Sequence, residues 1–255
     1  MLVLRPGALG DTLLAVPALR ALRARYGPVT LAAQRSAARL LEQVGEVERG
    51  LAFDDPALAW VGRDEPAPEP TVAWMSRPLA GALVWAPSRP AETVHCATYL
   101  LATLAPLGIG GPLDQTPLGV TAAPSDEVLV HPGSGAAAKN WPAERFAALI
   151  AALDGPVRLI VGEADTLAAA AVEQVLGRRL PRLEQPPLDV LAARLAGCRA
   201  YVGNDSGVSH LAGLCGATCF VLFGPTDPRI WRPLGPRVHV YPFDSAPNAL
   251  AQHLG

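Results

Sequence analysis

The sequence predicts an α/β protein with two parallel sheets that face each other across a cleft. Short β-branched runs alternate with longer Ala/Leu-rich runs, which is the pattern of parallel strands joined by crossover helices. A Gly/Pro-rich segment, "GIGGPLDQTPLGVTAAPS", separates two such halves. Half of the 255 residues are hydrophobic, enough for a substantial core. We expect domains at 1–110 and 126–240, a linker at 111–125, and a tail at 241–255 that packs back toward the N-terminal domain.

The first half contains predicted strands and helices, and a region with few predicted elements follows them. Strands are predicted at 2–4, 29–33 and 51–53 and in "TVAWM" and "ALVWA"; helices are predicted at 12–26, 36–44 and 92–107. Pro17 either kinks the first helix or marks its true first turn, and Ser36 is expected to cap the second. The Pro-rich acidic stretch "DDPALAWVGRDEPAPEP" is predicted as loop, so this half looks abbreviated.

The second half alternates more regularly. Strands are predicted at 128–130, 157–161, 200–202 and 218–223, with one more in "RLPRLEQP", and helices at 143–153, 165–176, 188–196 and 206–215.

Charge and hydropathy exclude several classes of function. The net charge of -2 and the lack of a polybasic run argue against a nucleic-acid interface. No stretch is apolar enough for a signal-peptide core or a membrane span, so we expect a cytoplasmic protein. The four cysteines, Cys96, Cys198, Cys215 and Cys219, form no C-x-x-C pair and are expected to be reduced and buried, with no zinc site.

Five predicted strands end in loops that place glycine beside a charged or hydroxyl residue. In chain order these loops are "RPGALGD", "HPGSGAAAKNWP", "GE", "GNDSGVSH" and "GPTDP". Any one of them is an ordinary connection between a strand and a helix. Together they predict a binding edge, because ligands of such sheets lie at the carboxyl ends of the strands.

The loop "HPGSGAAAKNWP" carries Lys139, the single lysine among 21 basic residues. It lacks the G-x-x-x-x-G-K-[ST] pattern and is not a P-loop. Ser134 and Gly135 lie in the same loop, where glycine lets the backbone approach a ligand closely. An ammonium group suits phosphate oxygens, so we interpret Lys139 as a phosphate ligand; a stray surface lysine is the alternative.

The run "GNDSGVSH" leads from a strand into a helix that begins near Ser206. The amides of Ser206 and Gly207 then lie at a positive helix end, where an anion binds. Asp205 either caps the helix or accepts hydrogen bonds from a sugar, and His210, one turn on, is expected in a supporting role.

Two further carboxylates also allow both a structural and a functional interpretation. Glu163 follows a strand directly and either holds ribose hydroxyls or is an ordinary first-turn residue. Asp11 in "RPGALGD" is either a helix cap or a general base.

These segments resemble a known family. "LRPGALGDTLLAVPALRALRARYG", "HPGSGAAAKNWPAERFAALIAAL" and "VGNDSGVSHLAGLCGATCFVLFGPTDP" are similar to the signature segments of glycosyltransferase family 9, the ADP-heptose:lipopolysaccharide heptosyltransferases and their relatives. The resemblance implies a GT-B fold of two facing Rossmann-like domains with parallel sheets. The donor would then bind the C-terminal half and the acceptor the N-terminal half, which is abbreviated between Phe53 and Glu92.

The resemblance also implies roles for the marked residues. Asp11 resembles the catalytic base, with Arg5 and Gly10 on the acceptor side. The implied donor-binding residues are Ser134, Gly135, Lys139, Glu163, Asp205, Ser206 and Gly207. No Asp-x-Asp is present, so a metal-independent transfer is expected. The resemblance implies that this transfer inverts the anomeric carbon and uses an ADP-heptose-like donor without a cofactor.

The expected acceptor is a glycan or lipid-linked sugar of lipopolysaccharide biosynthesis, with peripheral contact to the inner membrane surface. A nucleotide-sugar-binding protein that has lost turnover is the main alternative. Another GT-B enzyme, such as a nucleotide-sugar epimerase or hydrolase, is a third.

Overall fold

The computed structural model describes residues 1–63 and 65–254, and it divides into two compact units, Met1–Gly119 and Val120–Gly255. Over these described residues, each unit is built on one parallel sheet, of five strands in the first and six in the second. The predicted α/β class is therefore confirmed. Among the described helices, none combines the length and apolarity that crossing a bilayer requires.

The N-terminal unit has the strand order β3-β2-β1-β4-β5. Its strands are β1 (Leu2–Leu4), β2 (Thr30–Ala33), β3 (Arg49–Ala52), β4 (Thr71–Trp74) and β5 (Val84–Ala86). Its helices are α1 (Leu9–Leu13), α2 (Val16–Tyr26), α3 (Arg35–Gln43), α4 (Ala59–Gly62) and α5 (Cys96–Ala102). The order reverses between β1 and β4, so the loop after β1 lies at the position where such sheets bind ligands.

Three local predictions for this unit need correction. The helix expected at 12–26 is two helices, α1 and α2. Pro17 lies in the first turn of α2, where a backbone N–H has no partner within the helix, so the proline costs no hydrogen bond. Ser36 does not cap α3, because Gln34 occupies the N-cap position. The stretch expected to be loop contains α4, where buried Val61 joins the apolar cluster on the first sheet.

The C-terminal unit has the strand order β11-β10-β9-β6-β7-β8. Its strands are β6 (Val128–His131), β7 (Val157–Val161), β8 (Arg182–Glu184), β9 (Ala200–Asn204), β10 (Cys219–Phe223) and β11 (Val238–Pro242). Its helices are α6 (Ala143–Ala151), α7 (Thr166–Leu176), α8 (Leu188–Gly197), α9 (Gly207–Leu214), α10 (Pro228–Trp231) and α11 (Pro247–Leu254). The order reverses between β6 and β9, which places the loops after these two strands side by side.

The C-terminal tail contains α11. Leu250 and Leu254 of this helix are buried in the core of the second unit, together with Phe146 and Ile150 of α6. The physical reason is local, since the apolar faces of α6 and α11 cover each other within that unit.

A buried asparagine fixes the loop between β6 and α6. The Asn204 side chain has no exposed surface. Its Oδ1 accepts a hydrogen bond from the Trp141 N–H at 2.8 Å, and its Nδ2 donates to the carbonyl oxygens of Pro132 at 2.9 Å and Gly133 at 3.1 Å. One amide therefore ties both ends of the loop to the end of β9.

We predict that Asn204→Ala destabilises the C-terminal unit by about 2–3 kcal/mol, because it leaves three buried backbone groups without partners. Urea unfolding followed by tryptophan fluorescence measures this loss. The exposed Asn248 of α11 provides a matched control, since Asn248→Ala removes the same atoms from the surface. Equal stability of the two variants would contradict the assigned function of the Asn204 amide.

The cysteine thiols should be unreactive in the folded protein. All four are free, as expected; Cys96, Cys215 and Cys219 are buried, and Cys198 is half-buried. Burial raises the pKa of Cys96 to about 11 and the pKa values of Cys198 and Cys215 to about 12. At pH 8 we expect thiol-specific reagents to react roughly a hundredfold more slowly than with a free cysteine, and with all four thiols after unfolding. A thiol that reacts at the free-cysteine rate in the native protein would disprove this.

Candidate functional site

An ion pair joins the two loops at the point where the strand order of the C-terminal sheet reverses. Lys139, in a 3₁₀ turn after β6, donates from Nζ to Asp205 Oδ2 at 2.8 Å, directly after β9. The Lys139 side chain is 31% exposed, whereas the Asp205 side chain is 7% exposed. The ammonium group of the chain's single lysine is thus held at this edge of the sheet with part of its surface open.

Asp205 is held from three sides. Thr226 donates from Oγ1 to Asp205 Oδ2 at 2.8 Å, and His210 Nε2 lies 3.9 Å from Asp205 Oδ1. The Asp205 N–H donates to the Leu222 carbonyl oxygen at 3.1 Å, which continues the pairing of β9 with β10. The carboxylate does not cap α9, so the predicted alternative of Asp205 as an N-cap is wrong.

Ser206 is the N-cap of α9, with extended backbone and a side chain that accepts a hydrogen bond from the Ser209 N–H. The first intrahelical bond runs from the His210 N–H to the Ser206 carbonyl at 3.2 Å. The amides of Gly207 and Val208 therefore precede the helical hydrogen bonding and lie at the positive end of the helix dipole. This helix end follows Asp205 directly, one residue from the partner of Lys139.

Behind the helix end lies a buried polar chain that the sequence did not indicate. His131, the last residue of β6, places Nε2 2.8 Å from Asp165 Oδ2 and Nδ1 3.3 Å from Ser206 Oγ. Burial acts to raise the pKa of Asp165, and hydrogen bonds from His131 and the Gly162 N–H lower it by more, so this pKa lies below its usual value. Asp165 is therefore an ionised acceptor at neutral pH.

The glycines and serine of the loop after β6 serve different purposes. A Cβ at Gly133 would lie 1.8 Å from Asp165 Oδ1, so glycine is required there by the buried carboxylate rather than by a ligand. Gly135 is exposed, and a Cβ there would meet open space. Ser134 Oγ lies 2.7 Å from Ala136 O and from Asn140 Oδ1, within the loop itself. Glu163 is exposed in the 3₁₀ turn that follows β7.

The N-terminal unit holds Asp11 at the start of α1, beside a fully buried guanidinium. Asp11 Oδ2 accepts a hydrogen bond from the Ala8 N–H at 3.0 Å, and Asp11 Oδ1 lies 3.5 Å from Arg5 Nη2. Arg5 Nε also donates to the Asp11 carbonyl at 3.1 Å. Gly7 has φ +141°, and a Cβ there would lie 2.9 Å from the Asp11 side chain. Gly10 is buried within α1.

The position of Arg5 differs from the expectation. The resemblance predicts that Arg5 lines the acceptor side, but its side chain has no exposed surface. Its guanidinium is instead buried next to Asp11. Within the described residues, Nη1 and Nη2 of Arg5 make no hydrogen bond. Burial lowers the pKa of Arg5 and the nearby Asp11 carboxylate acts to raise it.

The structure thus brings Lys139, Asp205, Ser206 and Gly207 together at one edge of the C-terminal sheet. The motifs in the sequence did not single out Thr226, Asn204 or the pair of His131 and Asp165. Their one local signal is position, since all four residues lie in or next to the predicted loops at strand ends.

Comparison with known proteins agrees with this geometry. The model of glycosyltransferase family 9 (heptosyltransferase) matches residues 112–249, more than half of the chain. A comparison with curated proteins finds no significant match.

Three solved structures show the same fold at low identity. The structure of E. coli ADP-heptose LPS heptosyltransferase II has a TM-score of 0.78 and 20% identity, over 99% of this chain and 96% of that chain. A family 9 glycosyl transferase from Veillonella parvula DSM 2008 has a TM-score of 0.77 and 18% identity, over 94% and 85%. E. coli heptosyltransferase WaaC with ADP has a TM-score of 0.73 and 17% identity, over 99% and 98%.

The expected fold class, GT-B with Rossmann-like parallel sheets, is confirmed by these similarities. The family match covers the loops that carry Lys139, Glu163 and Asp205. The chain therefore belongs to glycosyltransferase family 9 and is a heptosyltransferase-like glycosyltransferase.

Proposed function

We propose that this protein is an inverting, metal-independent transferase that moves a heptose-like sugar from an ADP-linked donor to a glycan or lipopolysaccharide-type acceptor. The observation that carries the proposal is the pair of Lys139 and Asp205 beside the N-terminus of α9. We also propose a cytoplasmic location with peripheral contact to the inner membrane, where a lipid-linked acceptor would lie.

The donor diphosphate would bind between Lys139 and the amides at the start of α9. Lysine has three N–H donors, and the bond to Asp205 uses one of them, so the others can reach phosphate oxygens. The helix dipole favours the same negative charge. As the sugar leaves, charge accumulates on the diphosphate, and these fixed donors stabilise it without reorganising.

We propose that the transfer needs no metal ion, because Lys139 and the amides at the start of α9 would balance the charge of the leaving diphosphate. The sequence has no Asp-x-Asp, and no group of three His, Cys, Asp or Glu side chains suitable for a metal occurs among residues 1–63 and 65–254. In this proposal Asp205 contacts sugar hydroxyls, and Glu163, which is exposed after β7, contacts the ribose. Ser134 and Gly135 would border the donor from the loop after β6.

Asp11 is proposed as the general base. Its carboxylate would take the proton of an acceptor hydroxyl while that oxygen forms a bond to the anomeric carbon. The bond from this carbon to the donor phosphate breaks at the same time, ADP leaves, and the anomeric configuration inverts. The Ala8 N–H and Arg5 fix the carboxylate on either side, which holds the base in one orientation.

A second candidate function is nucleotide-sugar binding without turnover. The two proposals differ in the need for a base, because a binding protein gains nothing from a positioned Asp11. ADP release from a donor sugar in the presence of an acceptor separates them: a transferase releases ADP, and a binding protein shows only a rise in melting temperature with the ligand.

Removal of the ammonium group should weaken ADP binding. We expect Lys139→Met to raise the Kd for ADP, measured by calorimetry, roughly 10- to 100-fold. This is the effect of losing one hydrogen bond to a charged group. This change also removes the positive charge that balances the buried Asp205 carboxylate, which lowers stability.

The double variant Lys139→Met/Asp205→Asn separates these two effects. It should recover the melting temperature lost in Lys139→Met without recovering the affinity for ADP. Full recovery of ADP affinity in the double variant would show that Lys139 only balances the charge of Asp205.

Asp11→Asn tests the base. The amide oxygen can still accept from the Ala8 N–H, which keeps the start of α1 in place. The melting temperature should fall, because the buried Arg5 loses its nearby negative charge. We expect ADP affinity to stay the same and the rate of ADP release with acceptor to fall about 10²- to 10⁴-fold. Ser36→Ala, at an exposed position in the same unit that no proposal uses, is the control for non-specific loss. Unchanged turnover in Asp11→Asn would refute the assignment of the base.

A further inference from the structure

The short segment between β11 and α11, residues 243–246, contacts the loop that carries Thr226 and has no task in the transfer reaction described above. It begins where the parallel pairing of β10 with β11 ends, because the Phe243 N–H donates to the Phe223 carbonyl oxygen at 3.1 Å. Phe223 is the last residue of β10, and the loop with Thr226 follows it directly. The segment therefore starts at the same edge of the sheet as Asp205.

The ring of Phe243 lies on the backbone of Gly224. A Cβ at Gly224 would lie 2.4 Å from Cε2, 2.6 Å from Cδ2 and 2.7 Å from Cζ of this ring. Gly224 does not have a positive φ, so the close approach of the ring, and not the backbone conformation, requires glycine there. Phe243 is half-buried and also packs against the apolar core cluster of the C-terminal unit. Its ring thus covers the start of the loop after β10.

Side chains from the loop after β6 and from α6 hold the backbone of this segment. Trp141 Nε1 donates to the Phe243 carbonyl oxygen at 2.8 Å. Arg145 Nη1 donates to the carbonyl oxygens of Phe243 and Ser245, each at 3.1 Å. Trp141 is itself buried, and its backbone N–H donates to Asn204 Oδ1. Because these bonds fix the backbone of Phe243, its ring is held on Gly224.

The loop beneath the ring leads to Asp205. Pro225 follows Gly224, and its fixed φ leaves the chain few ways to absorb a displacement before Thr226. Thr226 Oγ1 donates to Asp205 Oδ2 at 2.8 Å. A continuous set of contacts thus runs from the Phe243 ring through this loop to the carboxylate.

We propose that Phe243 is a positioning residue for the donor sugar. By packing on Gly224, it holds the loop after β10 where Thr226 orients the Asp205 carboxylate toward the sugar hydroxyls. This inference rests on the proposed function, because it assumes that Asp205 contacts the sugar of a nucleoside-diphosphate donor. It adds that recognition of the sugar depends on the segment between β11 and α11, whereas Lys139 and the amides of α9 bind the diphosphate without it.

The two parts of the donor separate this role from general stability. ADP contains the diphosphate without the sugar, and ADP-heptose contains both. A residue that only stabilises the fold affects both ligands alike, whereas a residue that orients Asp205 affects chiefly the ligand with the sugar. The measured quantity is therefore the ratio of the Kd for ADP-heptose to the Kd for ADP.

The experiment is calorimetric titration of the full chain with ADP and with ADP-heptose, without acceptor. We expect Phe243→Ala to raise the Kd for ADP-heptose about tenfold, which is the effect of losing one oriented hydrogen bond. The Kd for ADP should stay within about twofold. Phe243→Leu keeps an apolar branch over Gly224 and should recover most of the affinity for ADP-heptose.

Gly224→Ala tests the same contact from the side of the loop. A Cβ there overlaps the ring, so the ring and the loop must move apart, and no core side chain is lost. We expect the same selective loss of affinity for ADP-heptose, about three- to tenfold. This variant tests the proposal even where Phe243→Ala unfolds, and unchanged affinity for ADP-heptose in Gly224→Ala would refute it.

Tyr241→Ala is the matched control. Tyr241, like Phe243, is a half-buried aromatic residue that packs against the same apolar cluster, but its ring stacks on Phe220. This change should lower the melting temperature and leave the ratio of the two Kd values unchanged. An equal rise of both Kd values in Phe243→Ala would show that Phe243 only stabilises the unit, which contradicts the proposal.

A double-mutant cycle with Thr226 tests whether Phe243 acts through this hydroxyl. Thr226→Val removes the hydroxyl group that binds Asp205 and keeps the shape of the side chain. It should raise the Kd for ADP-heptose about tenfold. Adding Phe243→Ala should weaken binding no further, because both changes act on the same hydrogen bond. Independent, additive losses would overturn the proposal.

The result for the unaltered protein separates failure of this inference from failure of the proposed function. If that protein binds neither ligand, or ADP alone, the proposed donor is wrong and this inference falls with it. If it binds both, and Phe243→Ala and Gly224→Ala leave the ratio of the two Kd values unchanged, the donor site stands and the assignment of Phe243 is wrong.

Discussion

The hydrogen bonds of the buried Asn204 amide are the constraint on which the candidate site depends. They fix the backbone of the loop after β6 at Pro132, Gly133 and Trp141 against the end of β9. The loop between these points contains no other regular structure than one 3₁₀ turn, which carries Lys139. With both ends of the loop held on β9, the Lys139 side chain comes within hydrogen-bond distance of Asp205, the next residue in the chain after Asn204.

The charges around the loop after β6 suit the anion that the proposed function requires. Lys139 remains partly exposed, while the buried Asp205 supplies one fixed hydrogen-bond partner for its ammonium group. Asp205 is in turn held by Thr226, so the ammonium group has a fixed direction before any ligand binds. The amides that open α9 add partial positive charge on the same side. A rigid set of donors of this kind stabilises developing charge better than water does, because water must reorient.

The N-terminal unit also holds a charged side chain in a fixed position, here the carboxylate of Asp11. Arg5 is buried beneath Asp11, and the cost of burying a guanidinium is offset in part by the nearby carboxylate and carbonyl group. The left-handed backbone at Gly7 leaves space for the Asp11 side chain. The carboxylate is therefore held on both sides within a short loop, as a positioned proton acceptor requires.

The sequence by itself determined the parallel α/β class, most strands to within a residue or two, and the loops in which Lys139, Glu163, Asp205 and Asp11 lie. These features follow from local periodicity, turn residues and a motif with family resemblance, all of which are encoded in short stretches of chain. Only the tertiary structure decided that Asn204 holds the loop after β6, that His131 bridges Asp165 and Ser206, that Arg5 is buried, and that α11 packs on α6. The partners of His131, for example, lie 34 and 75 residues away in the sequence. The order of the strands in the sheet decides whether such a polar side chain is buried and which partner it contacts. No local pattern contains that order.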